Sequence, residues 1–138
     1  AGQRLAVARR LERAEVEAFA ALTGDLNPVH LTSERPLVHG MLCASLIPAL
    51  FAARLPGAVY VSQGLEFRAP VFVGDTVEAE ILVERAKDLR GRLVVDCATH
   101  VYVRTEREVA VQGKARVLLD DYERLLQRAS SLIAGQER

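Results

Sequence analysis

The chain has 138 residues, the length of one ordinary domain, and half of them are hydrophobic, enough to build a packed core. Lys plus Arg and Asp plus Glu number 18 each, so no broad basic field exists for a nucleic acid, and no apolar run reaches the ~18 residues of a membrane span. Cys43 and Cys97 stand far apart without metal-ligand spacing, which argues against a disulfide framework or zinc site and fits buried free thiols in a reducing compartment.

Nothing in the composition divides the chain, so residues 1–138 read as a single domain. The Arg-rich, acid-poor start, residues 3–13, has the composition of a transit peptide, but alternating Leu5, Val7 and Arg9 favour a first strand. Cytoplasm is the expected location, with the mitochondrial matrix as the alternative. Val16, Phe19, Ala20 and Leu22 then fall near helical spacing and predict a helix over residues 12–22, stopped by Gly24. Residues 25–36 are rich in turn formers and read as a loop.

Residues 40–54 carry no charge until Arg54. An all-round apolar segment of this length predicts a helix buried on every flank, kinked or broken near Pro48. Four alternating segments follow. Their apolar faces are Val59, Val61, Leu65 and Phe67 in residues 59–67, and Val77, Ala79, Ile81 and Val83 in residues 76–83. In residues 92–103 the face is Leu93, Val95, Cys97, Val101 and Val103; in residues 109–118 it is Val109, Val111, Ala115 and Val117. Period-two alternation joined by turns at Gly74-Asp75 and Leu89-Arg90-Gly91 predicts antiparallel pairing with one covered face. Helical spacing returns in residues 120–134. The expected class is α+β: a curved antiparallel sheet wrapped around one apolar helix, with the rest of the helix covered by a second copy.

Signatures for nucleotide-fuelled, metalloprotease-type and Ser-His-Asp chemistry are missing from the sequence. Chemistry-bearing residues concentrate instead in residues 22–30 and 38–41. Asp25 and His30 flank a turn containing Asn27-Pro28, which can fold both side chains toward one point. A carboxylate beside an imidazole can hold a water as a proton acceptor and donor. The same spacing also suits an Asp that caps a turn and an ordinary loop histidine. Gly40 opens the apolar helix, so its N–H is an unpaired donor at the positive end of the macrodipole, suited to a carbonyl oxygen gaining charge.

The strings FAALTGDLNPVH and PLVHGML together resemble the hydratase-2 signature of the MaoC-like, R-specific enoyl-CoA hydratases, and SQGLEFRAPVFVGDTVEAE is similar to the strand pair that follows it. The likeness runs from about Gln3 to Leu119. It implies a hotdog fold acting as a homodimer, an acyl-CoA or acyl-carrier-protein thioester as substrate, and no cofactor or metal. It implies Asp25 as general base, His30 as the residue that holds the same water and assists the proton transfer, and the Gly40 N–H as oxyanion hole. A carboxylate with an ordinary pKa near 3.9 is a weak base, so partial desolvation of Asp25 is expected. Asn27, His39, Met41 and Gln63 are the candidate substrate-binding residues, though His39 suits stabilisation of its loop and Gln63 a satisfied core amide. His100, on the polar face of its strand, is expected to face solvent. The pattern departs at residues 31–38, only eight between His30 and His39, where family members carry a longer overhanging segment. Two rivals stay open on these residues: a hotdog thioesterase, and an acyl-thioester-binding subunit without turnover.

Overall fold

The computed structural model describes residues 1–119; the helical spacing of residues 120–134 lies outside them. The elements are β1 (Arg4–Arg10), α1 (Arg13–Thr23), α2 (Pro28–Leu31), α3 (Gly40–Ala44), α4 (Leu46–Arg54), β2 (Val59–Gln63), β3 (Glu66–Phe67), β4 (Thr76–Leu89), β5 (Arg92–Val103) and β6 (Glu108–Leu119). The strands form one antiparallel sheet in the order β1-β4-β5-β6-β2, with β3 also on β6. α3 and α4 supply Cys43, Ala44, Leu46, Ile47, Leu50 and Phe51 to a core completed by one face of the sheet, including Val77, Ala79, Ile81, Val95, Val101 and Val117. This is the hotdog arrangement of a sheet curved around a central helix.

The alternation predicts the core face well, and β5 shows why it holds across a polar position. Thr99 is fully buried among Cys97 and Val101, but its hydroxyl donates to the Gly113 carbonyl and accepts from Gln63 Nε2, each at 3.0 Å. A buried hydroxyl with both roles filled costs little. Between β5 and β6 a bulge at Ala110 turns its carbonyl toward the Arg68 N–H at 2.7 Å, which ties the segment after β3 to the sheet.

Two expectations are refined and two are corrected. Within one chain the helix over residues 40–54 is covered on one side by the sheet, and Met41, 56 % exposed, faces outward with Ser45, Pro48 and Ala49, on the side expected to meet a second copy. Its break falls at Ser45, where Pro48 leaves the Ala44 carbonyl without its i+4 donor; Pro48 itself then sits in the first turn of α4, where a missing N–H is tolerated. Residues 59–67 are two strands rather than one, interrupted at Gly64, and Val59, Val61 and Phe67 are exposed because this strand pair lies at the sheet margin. Leu22, assigned to the apolar face of the first helix, is 85 % exposed, while Val16 and Ala20 carry that face.

Gly113 has a steric reason. A Cβ there would lie 1.8 Å from the Gly64 carbonyl oxygen, so the close passage of the β2–β3 connection over β6 admits no side chain.

Candidate active site

α1 ends at Gly24, whose left-handed φ of 78° lets its N–H close on the Ala20 carbonyl. The chain leaves directly into Asp25. The Asp25 N–H bonds Thr23 Oγ1 at 3.2 Å, and Asp25 Oδ1 accepts from the Asn27 N–H at 3.3 Å. Residues 25–36, expected as loop, contain the single turn α2: Asn27 Oδ1 accepts from the Val29 N–H, and Pro28 occupies the first helical position. This turn puts His30 opposite Asp25. Asn27 is exposed and does not line the cavity; its amide is used to build the turn.

His30 Nδ1 lies 2.8 Å from the Leu37 carbonyl oxygen, which can only accept, so Nδ1 carries the hydrogen. In the neutral ring Nε2 is then an acceptor, and it faces Asp25 Oδ2 at 3.9 Å. That distance is too long for a direct hydrogen bond. Two acceptors across such a gap call for a donor between them, and one water giving a hydrogen to each at ~2.8 Å spans it. The side chain of Asp25 is 50 % exposed and that of His30 only 13 %.

His39 is buried, 2 % exposed, with its ring stacked on His30 at 3.8 Å between centroids and 23° between planes. The next residue, Gly40, opens α3 with its N–H outside the helical ladder. A Cβ on Gly40 would stand 2.7 Å from Cδ1 and Cε1 of Phe67, so the lack of a side chain is what lets the Phe67 ring close over the helix start.

Asp25, His30, His39, Gly40 and Met41 meet in one cavity of about 500 Å³, continued by an apolar wall that includes Cys43, Phe67, Pro70 and Val111. Gln63 is not among them. Its amide nitrogen bonds Thr99 Oγ1 and the Gly64 carbonyl, and its side chain lines a neighbouring groove with Met41, Pro48, Tyr60 and Val61. Cys43 and Cys97 are buried and free, as expected, and burial pushes their thiols up to about 12 and about 11. His100 does not simply face solvent: Nδ1 is buried 3.8 Å from Glu80 Oε1, beside Tyr102.

The carboxylate and two imidazoles bring ligand atoms within 4.8 Å of one another, the composition of a small metal set. Near-parallel stacking aims the ring nitrogens side by side, and His39 Nε2 is directed at the Asp25 carbonyl at 3.2 Å. This geometry suits holding a water better than closing on one ion.

Sequence reasoning missed the Leu37 carbonyl and the Phe67 cover. The first is a backbone contact with no residue signature; the second shows only once β3 is folded over Gly40.

The MaoC like domain family matches residues 2–105. The chain is similar to the (R)-specific enoyl-CoA hydratase of Aeromonas caviae, with 41% identity over 128 residues, covering 86% of this chain and 93% of the relative. It is 32% identical to the mitochondrial 3-hydroxyacyl-[acyl-carrier-protein] dehydratase of Arabidopsis thaliana, covering 85% and 75%. Among solved structures, the (R)-hydratase from A. caviae involved in PHA biosynthesis superimposes with a TM-score of 0.79 at 41% identity, over 86% of this chain and 95% of that one.

Proposed function

This chain belongs to the MaoC-like family, and on that premise we propose that Asp25, His30 and Gly40 carry the addition of water to an enoyl thioester. The protein is a hydro-lyase: a trans-2-enoyl thioester hydratase, equally a 3-hydroxyacyl thioester dehydratase in reverse. The observation that carries the residue roles is the 3.9 Å gap between two hydrogen-bond acceptors, Asp25 Oδ2 and His30 Nε2, at the polar end of an apolar cavity.

A water donating one hydrogen to each acceptor turns its lone pairs toward the cavity. As its oxygen bonds C3, the C2=C3 electron pair moves through C2 into the thioester carbonyl, and Asp25 takes the water's proton. The Gly40 N–H and the helix start face the oxygen that gains charge. The intermediate then takes a proton at C2 from the Asp25 carboxyl on the same face, which restores the carboxylate and gives the (R)-3-hydroxyacyl thioester. His30 keeps the water aligned while its own Nδ1–H stays on Leu37. With half of the Asp25 side chain open in the single chain, the bound acyl thioester supplies the desolvation that a working base needs.

The carrier is coenzyme A or acyl carrier protein. The protein works as a homodimer: Met41 on α3, Val59 and Val61 on β2 and Phe67 on β3 form exposed apolar surface, more than a solvent-facing edge normally carries. Met41 belongs both to the cavity and to the adjoining groove, so a second copy seated there also closes the cavity flank. Among the described residues no helix is long and apolar enough to cross a membrane. Free Cys43 and Cys97 accord with a reducing compartment; cytoplasm is the favoured location and the mitochondrial matrix the alternative.

Loss of enoyl-thioester absorbance with crotonyl-CoA, followed by chiral analysis of the product, tests the reading. Formation of the (R)-3-hydroxyacyl thioester is expected. Thiol release from a saturated acyl-CoA without hydration would replace it with a thioesterase.

A further inference from the structure

His39 does not need to touch the substrate to matter, because it meets each member of the site. Its Nε2 lies 3.2 Å from the Asp25 carbonyl oxygen, an acceptor only, so Nε2 carries the hydrogen and donates it there. One face of the ring stacks on His30, and Phe19 packs against it at 4.8 Å and 55°. Its own peptide leads into Gly40. The cost of this arrangement is visible at the other nitrogen: Nδ1 is buried and has no hydrogen-bond partner among the described residues. A ring kept only for packing leaves no reason to bury an orphan nitrogen, since a phenyl or aliphatic side chain fills the same space without one. The imidazole answers two demands at once, a flat face for His30 and a donor for Asp25.

We propose that His39 is a positioning residue that sets the Asp25–His30 gap, fixing the backbone of the base through Nε2–H and the plane of its partner by stacking. This rests on the hydration reading for its consequence and on geometry for its substance. The two histidines are held in opposite tautomers, His39 with hydrogen on Nε2 and His30 with hydrogen on Nδ1.

The chain has three histidines, so long-range ¹H–¹⁵N correlation spectra of the whole protein resolve each ring. The expected result is the Nε2–H pattern for His39 and the Nδ1–H pattern for His30. Nδ1–H on His39 would overturn the proposal. Three variants separate the two demands: His39→Gln keeps a donor near the Nε2 position, His39→Phe keeps the face, and His39→Leu keeps neither. With crotonyl-CoA, kcat is expected to fall about tenfold or more in His39→Phe and His39→Leu with KM little changed, and His39→Gln to regain part of the loss. Wild-type kcat in His39→Phe, or a folded His39→Gln no better than His39→Leu, would also overturn it. If the wild-type chain shows the two tautomers but no turnover of enoyl thioesters, the hydratase reading fails and the clamp on Asp25 stands.

Discussion

The Phe67 ring covers Gly40 so closely that a Cβ on the glycine would sit 2.7 Å from two of its carbons. This joins the margin of the sheet to the start of the central helix, where the proposed mechanism puts the carbonyl of the substrate. Gly40→Ala keeps the N–H but drives Phe67 aside, and kcat/KM for crotonyl-CoA is expected to fall about tenfold or more. In the double variant with Phe67→Ala the added methyl has room, so part of the loss returns. Equal losses in the single and double variants would show that the methyl obstructs the substrate itself.

Gly113 offers no such relief, because its neighbour is backbone. With the Gly64 oxygen 1.8 Å from the position of a Cβ, Gly113→Ala forces the β2–β3 connection off β6. A loss of more than about 3 kcal/mol is expected, or failure to fold. Urea unfolding monitored by circular dichroism measures it; a midpoint close to wild type would contradict the close approach.

Asn27 is expected to contribute to activity through α2 and not through the substrate. Its Oδ1 caps the turn that carries His30, and a lost cap of this kind costs about 1 kcal/mol. Asn27→Ala is expected to melt within a few degrees of wild type yet lose activity, while Asn27→Asp, which keeps the acceptor, retains most of it. A larger effect on KM than on kcat would instead place Asn27 against the substrate.

Burial raises Cys43 to about 12 and Cys97 to about 11, from 9.0. The thiols of the unfolded chain ionise first as pH rises, so the unfolded state binds fewer protons and stability falls between about pH 9 and 12. At pH 8 neither thiol is expected to react with Ellman's reagent on the time scale in which the denaturant-unfolded chain reacts at both. Fast labelling of the folded protein would show that the cavity exposes Cys43.

Much of the fold is legible in the sequence because period-two alternation and a long uncharged segment are physical signatures of a half-covered sheet and its helix. Val77, Ala79, Ile81, Val95 and Val117 are buried where the alternation puts them. That α3 and α4 outrun the cover of one sheet is legible in their all-round apolar character, but which residues face outward is not: hydrophobicity marks Met41 and Ala49 as coverable without saying on which side they lie. The single turn α2 is too short for periodicity, and only its cap, Asn27-Pro28, announces it. At the site, residue types and spacing leave Asp25 and His30 open between a water-holding pair and ordinary loop residues, and it is the resemblance to the hydratase-2 signature that singles them out together with Gly40. The contacts that orient them lie beyond spacing, because the Leu37 carbonyl is backbone and the His39–Asp25 bond joins residues 14 positions apart. Gln63 shows the opposite limit, since a polar residue on an apolar face proved to be a bridge to Thr99 and not a member of the cavity.

In the proposed mechanism Asp25 takes the proton of a water shared with His30. The most direct measurement is the rate of crotonyl-CoA hydration by Asp25→Asn, a variant of the same shape that keeps an acceptor for the Asn27 N–H but cannot act as a carboxylate base. A fall in kcat of about 100-fold or more, with an unchanged melting transition, is the expected result. A rate within about twofold of wild type would contradict it.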